Sequence, residues 1–250
     1  MICNNAMLKE NAKIPLRQTY WMAFAVSLFY LFIDNIRTRI TFPFETIEMF
    51  IDELIYNFHH MDVWNYWVLP FTWFSMLFGL LITAVGIAFK VFVSNPFEIS
   101  TAGFFMSNRN APAKFTEVFK VFDKAYLKRT IVMFMRDLFI SLWTLVFIIP
   151  GVIAQYKYWA VKYILNENPN LSWQHALDLS KRMTYGRKWD LFVLQISFIG
   201  WYILGALLCG LGVIFVNPYA EQTYAEAYEF IKQDALQSNR ISYNEFTDLN

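Results

Sequence analysis

Six ionisable residues stand in apolar stretches where charge is expensive: Glu98, Arg136, Asp137, Lys157, Asp190 and Glu221. An isolated Asp, Lys or Arg at the centre of a membrane helix costs about 2.5–3.5 kcal/mol even on insertion scales, so each needs a partner or a use. If the segments that carry them pack together, the six form an intramembrane polar cluster able to bind a polar headgroup or pass an ion. The alternative is a set of charges that pair with one another or snorkel to the nearest interface and do no chemistry.

Helix breaks are the second feature. Asn95-Pro96, Pro150-Gly151 and Asn217-Pro218 lie within or beside apolar runs. Each proline removes a backbone donor and frees a carbonyl, which can kink a helix or expose a ligating oxygen.

Other chemistry is poorly provided for. His59-His60 with Asp62 offers imidazole beside carboxylate, but adjacent histidines cannot both face one ion from a regular helix, and no third ligand is suitably spaced. No metal or other cofactor is expected. Gly-x-Ser-x-Gly, His-Glu-x-x-His and phosphate-loop patterns are missing, so the chain is expected not to be an enzyme. His175 falls on the polar side of a surface helix and is expected to be solvated.

The elements that must position these residues are set by composition. The chain is 57% hydrophobic, 20% aromatic and only 16% charged, where a soluble domain carries about one quarter charged residues. A net charge of +1 gives no reason to expect nucleic acid. Cys3 and Cys209 do not suggest a disulfide framework. Residues 1–17 lack the apolar core of a cleavable signal, so the first span would direct insertion.

Residues 191–220 contain no charge. At 1.5 Å per residue that run reaches about 45 Å, beyond a bilayer core of ~30 Å, so it is read as two helices folded back around 209–212. Further uncharged runs at 18–33 and 71–89 and an apolar stretch at 131–149 complete an all-α reading. It is a polytopic transmembrane bundle of six spans in three hairpins, at about 18–35, 68–93, 131–149, 151–165, 189–208 and 212–231. The single membrane domain covers 1–235, and the polar tail 236–250 is expected to fray. Pro150-Gly151 is the expected corner of the middle hairpin.

Short in-plane amphipathic helices accompany the spans: an acidic one at 44–58, a basic one at 114–129, and one after Ser172 as N-cap, with Trp173, Ala176, Leu177 and Met183 on the apolar side. Gly79 with Thr83 and Ala206 with Gly210 are four-residue spacings of small residues that suit close helix contact.

Lys and Arg cluster before span one, at 109–129 and at 181–188, whereas 34–62 is mostly acidic. Positive residues stay inside, so both termini are expected on the cytoplasmic side, and an even number of crossings separates the two later basic segments. Membrane lipids are the expected partners, with other membrane proteins or a second copy as further candidates. The repeated patterns Asn95-Pro96 and Asn217-Pro218, and Asp137-Leu138-Phe139 and Asp190-Leu191-Phe192, suggest an internal hairpin repeat.

Particular motifs carry a resemblance. They are Arg136-Asp137-Leu138-Phe139, Ile149-Pro150-Gly151, Tyr163-Ile164-Leu165, Asn168-Pro169, Leu171-Ser172, Lys188-Trp189-Asp190-Leu191-Phe192 and Val216-Asn217-Pro218-Tyr219. With them the chain resembles a family of bacterial polytopic membrane proteins of unknown function. More distantly it is similar to the membrane domain attached to some bacterial glycerophosphodiester phosphodiesterases, without any residues of their catalytic domain. The resemblance implies a multi-pass protein of the bacterial cytoplasmic membrane and little chemistry. The acidic segment 44–62 departs from it. Two functions stay open, a non-enzymatic module that organises or senses lipid or a membrane partner and a small transporter or permeability protein built on the polar cluster, with an intramembrane lipid enzyme as a third only if Glu221, Asp190 and Lys157 converge.

Overall fold

A computed structural model describes residues 5–41, 52, 68–207 and 211–246. The expected acidic helix at 44–58, the His59-His60-Asp62 group and the Cys209-Gly210 corner lie outside these residues. All regular structure among the described residues is helical. Among the described residues three stretches are long and apolar enough to cross a membrane: Asn5–Ile36, Leu77–Asn110 and Lys188–Leu207.

The chain divides into two compact units, Leu31–Ser94 and the remainder. The smaller unit holds the end of α1 (Asn5–Thr41) and all of α2 (Val68–Phe89). Trp73, Phe74, Leu77, Leu80 and Leu81 of α2 are exposed along one broad face, which is compatible with a helix that crosses a membrane. Gly79 has open space where a Cβ would stand, and Thr83 donates to the Gly79 carbonyl at 2.8 Å. That pair therefore makes no close helix contact among the described residues.

The helix does not end at Asn95-Pro96. A π-helical turn, Lys90–Ser94, leads directly into α3 (Asn95–Asn110). The expected end of span two is thus a continuous helix, with the turn widened where Pro96 cannot donate.

In the larger unit, α3 is followed by a short 3-10 helix, Phe115–Phe119, and irregular turns. The expected amphipathic helix at 114–129 is not formed. The Arg129 guanidinium folds back to donate to the Val121 carbonyl (3.0 Å) and Asp123 (2.9 Å), while Asp123 accepts from the Ala125 amide (2.9 Å). These bonds favour a turn over helix continuation. Phe115 and Phe119 pack on Phe29, and Phe119 and Phe122 on Phe97.

Next come α4 (Tyr126–Val146), α5 (Ile148–Lys157), α6 (Val161–Glu167), α7 (Trp173–Met183), α8 (Lys188–Leu207) and α9 (Leu211–Gln237). The corner between α4 and α5 is Phe147, with extended φ −157° and ψ 146°. This places the turn three residues before the expected Pro150-Gly151. Pro150 sits in the first turn of α5, where its missing donor is tolerated. Gly151 is needed for close approach, since a Cβ there would stand 2.7 Å from Thr144 Cα.

The stretch expected as a single span at 151–165 is two helices. The Lys157 carbonyl accepts from the Ser180 and Thr184 hydroxyls, and the Val161 amide bonds to Tyr158 instead. Ser172 does cap α7, accepting from the His175 amide at 3.3 Å, and Ala176, Leu177 and Met183 are buried as expected. Gly186, at φ +77°, makes the tight turn into α8.

α8 and α9 run antiparallel: Gly205 meets Gly212, Tyr202 bonds Asn217 at 2.9 Å, and Phe198 packs on Tyr219. α1 joins them through Tyr20, whose hydroxyl donates to the Phe215 carbonyl, and through Lys9, whose ammonium lies over the Phe198 ring. The core lies between α3, α6 and α9, where Tyr163 stacks on Tyr228 at 4.7 Å and the buried amides of Asn108 and Gln222 bond at 3.0 Å.

Candidate functional site

Four of the six charged residues singled out from the sequence meet in one place. Arg136, on α4, donates two parallel hydrogen bonds to Glu98 of α3, at 3.0 and 2.9 Å, and two more to Asp137 Oδ1, at 3.0 and 2.8 Å. The second Asp137 oxygen accepts from Asn95 Nδ2 at 3.0 Å. Asn95, read as half of a helix break, is therefore also part of the cluster. A forked guanidinium–carboxylate pair is a strong arrangement, and here it neutralises charges that are mostly withdrawn from solvent.

Glu221, on α9, lies on the other wall of the same cavity, 3.6 Å from Lys162 of α6. The cavity holds about 400 Å³. Ile140, Gln155, Tyr158, Trp159, Gln195 and Tyr224 complete its lining.

Two predicted members are elsewhere. Lys157 does not line the cavity; its ammonium lies 5.0 Å from the Tyr158 ring centroid. Asp190 instead pairs with Arg187 at 3.2 Å, at the entry of α8. The reason in both cases is the chain's course between α5 and α8, which no local pattern reveals.

The residues missed were Lys162, Gln155, Gln195 and Tyr224. Gln155, Tyr158, Trp159 and Lys162 are spaced i, i+3, i+4 and i+7, the spacing of one helical face, but the chain breaks between α5 and α6 among them, so the spacing alone does not bring them together. Glu221 and Tyr224 share the same three-residue spacing.

The helix breaks have separate fates. Asn95 reaches the cluster, and Pro96 follows the π-helical turn. Pro150 and Gly151 serve the α4–α5 corner. Asn217 accepts from the Tyr202 hydroxyl, and Pro218 lies inside a helix that continues on both sides. Among the described residues no three His, Cys, Asp or Glu side chains converge as a metal site would need.

His175 is not simply solvated. Its Nε2 lies 3.2 Å from the Glu245 carbonyl, so the ring donates to the tail. The tail is fastened as far as Phe246: Asn168 donates to the Phe246 carbonyl at 2.7 Å, Arg182 pairs with Glu245, and Asp234 is held between Arg187 and Arg240. Ile241 and Phe246 are buried.

In arrangement, the cavity sets two cationic side chains beside three carboxylates, with an indole and two phenol rings between them. It can hold a compact group that carries both signs of charge.

No curated protein and no solved structure matches the chain. Residues 144–235 match the model of a family described as protein of unknown function (DUF975). That stretch holds Lys162, Gln195, Glu221 and Tyr224, and leaves Glu98, Arg136 and Asp137 outside it.

Proposed function

We propose that this chain is a multi-pass protein of the bacterial cytoplasmic membrane, without catalytic activity, whose charged cavity binds a zwitterionic group such as a lipid headgroup. By that binding it senses or organises membrane lipid or a membrane partner. Both termini are on the cytoplasmic side, and α1, α2, α8 and α9 carry four of the six crossings read from the sequence. The apolar helices, the placement of Lys and Arg, and the resemblance to polytopic membrane proteins support this reading.

The observation that carries it is the pairing inside the cavity. Glu98 and Arg136 are locked by a fork at 2.9–3.0 Å, whereas Lys162 and Glu221 stand 3.6 Å apart. A ligand with one charge would strand one partner of the looser pair in a partly dry site, which is costly. A zwitterion satisfies both, with its anion on Lys162 and its cation on Glu221 and the neighbouring rings.

The test uses purified protein in nanodiscs and phosphocholine, phosphoethanolamine and glycerol phosphate as probes, followed by tryptophan fluorescence, since Trp159 lines the cavity. Saturable binding of the two zwitterions, lost in Glu221→Gln at unchanged thermal stability, supports the reading. Absence of binding, or equal binding by the variant, overturns it.

A second reading, a small transporter or permeability protein built on the polar cluster, has its own observation. A π-helical turn sits immediately before the residue that bonds Asp137, and such turns are frequent at functional sites. Counterflow of a labelled zwitterion in proteoliposomes would favour it over a sensing role.

A further inference from the structure

We infer that the α4–α5 corner is a re-entrant wedge: it enters the membrane from the face that carries α7, reaches about half-way, and returns to the same face. Its partner is the acyl-chain layer of one leaflet.

The first observation is the corner's surface. All nine residues from 141 to 149 are exposed. Leu145, Val146, Phe147, Ile148 and Ile149 are 84, 60, 70, 76 and 74% exposed. Five consecutive large apolar residues at a turn are not a water-facing loop. The turn contains little irregular backbone, although α5 opens without a side-chain cap. Only Phe147 is non-helical; its amide bonds to Trp143 and its carbonyl accepts from Gly151. Pro150 has no donor to leave unmet, and the Thr144 hydroxyl is bonded back to Ile140.

The second observation is the level at which both arms meet a water-facing element. α7 buries Ala176, Leu179 and Met183 and turns Gln174, Asp178 and Lys181 to solvent, with the Asp178 side chain 55% exposed. On the α4 arm, Phe139 packs against Trp173 at the start of α7. On the α5 arm, the Lys157 carbonyl accepts hydroxyl protons from Ser180 and Thr184 at its end. Both arms are therefore pinned to α7 at the membrane surface. From Phe139 to Phe147 a helix rises about 12 Å, and from Lys157 back to Ile148 about 14 Å. A bilayer core is ~30 Å thick, so neither arm can complete a crossing.

Charge placement agrees. The basic segments at 109–129 and 181–188 must lie on one side, and a wedge with no crossing keeps them there as well as a hairpin with two. The charged cavity, whose Asp137 and Gln155 stand at the root of the two arms, then lies at headgroup depth.

The test uses the full chain with Cys3→Ser and Cys209→Ser, and single cysteines Phe147→Cys and Ile149→Cys made separately, so that one misfolded variant does not decide the matter. Asn110→Cys reports the basic face. A wedge predicts that neither corner cysteine reacts with a membrane-impermeant maleimide from either side. It also predicts that a bimane attached there in detergent and reconstituted is quenched by lipids brominated mid-chain. Labelling of either corner from the face opposite Asn110 shows a complete crossing and overturns the inference. Labelling from the same face as Asn110, without quenching by brominated lipid, places the corner in water and overturns it equally. Carbonate extraction of the parent protein checks membrane residence separately, and ligand binding in the cavity is untouched by any of these outcomes.

Discussion

The Arg136 guanidinium closes a fork on the Glu98 carboxylate, two parallel bonds at 3.0 and 2.9 Å that tie α4 to α3. Arg136 also serves Asp137, so it balances two carboxylates at once. Breaking such a pair by removing one partner leaves charge stranded, at a cost of about 3–5 kcal/mol. Arg136→Met is therefore expected to lower the thermal midpoint in detergent severely, since it strands both acids. The double variant Arg136→Met with Glu98→Met is expected to recover part of that loss. Thermal unfolding followed by size-exclusion of the remaining folded fraction checks both; a double variant no better than the single would show that the fork contributes no coupling.

Glycines give a contrast within one helix. A Cβ on Gly205 would stand 2.6 Å from the Val213 amide nitrogen, and one on Gly212 would stand 2.5 Å from Gly205 Cα, whereas Gly200 has open space. Backbone cannot yield as a flexible side chain does. Gly205→Ala and Gly212→Ala are expected to force α8 and α9 apart and destabilise by about 1–3 kcal/mol. Gly200→Ala is expected to be neutral or to gain up to about 1 kcal/mol from helix propensity. Denaturant titration in mixed micelles compares the three, and equal loss at all three positions would refute the contact.

What the sequence revealed follows the range of the forces involved. The Ser172 cap and the uncharged runs at 18–33 and 71–89 are local, and the cap and both helices are found where capping chemistry and composition put them. The cluster was legible in part because charge in an apolar run is costly wherever the chain goes; Glu98, Arg136, Asp137 and Glu221 do meet. Lys157 was taken where Lys162 stands, because the break after α5 depends on hydroxyls from α7 that are distant in sequence. The 114–129 segment has a helical pattern that Arg129 overrides by bonding back to Val121. The tail looks polar, yet two apolar residues, Ile241 and Phe246, suffice to seat it.

The seating of the tail has a pH dependence whose sign can be worked out. Hydrogen bonds from Arg187 hold the Asp234 carboxyl below its ordinary range, against the opposing effect of partial desolvation. Arg182 does the same for Glu245. A carboxyl depressed in the folded state contributes stability that is complete above the unfolded value, about 4, and is lost as pH falls through the folded one. The tail is thus expected to stay seated from neutral pH down to about pH 5 and to loosen in stronger acid. Tyr243 is 63% exposed, so a bimane on Tyr243→Cys, in a background lacking Cys3 and Cys209, should report this without disturbing the core. Its anisotropy should fall below about pH 4, and Glu245→Gln should show a low value at neutral pH. A flat profile would mean the ion pairs do not hold the tail.

The two lysines near the α5–α6 break separate a site from a bystander. Lys162 stands 3.6 Å from Glu221 on the cavity wall, while Lys157 lies outside it beside the Tyr158 ring. If the cavity takes a zwitterion, Lys162→Met removes the contact for its anion and strands Glu221, so phosphocholine binding should weaken by about tenfold or more. Glu221, left with the ligand's cation alone, should then favour tetramethylammonium over phosphocholine, a reversal that a general loss of folding cannot produce. Lys157→Met should leave both affinities within about twofold of the parent, because Lys157 does not line the site. Titration of the two probes against each variant, with thermal midpoints measured alongside, decides the matter. Equal weakening by both substitutions would mean that the basic charge acts at long range and that the cavity is not the binding site.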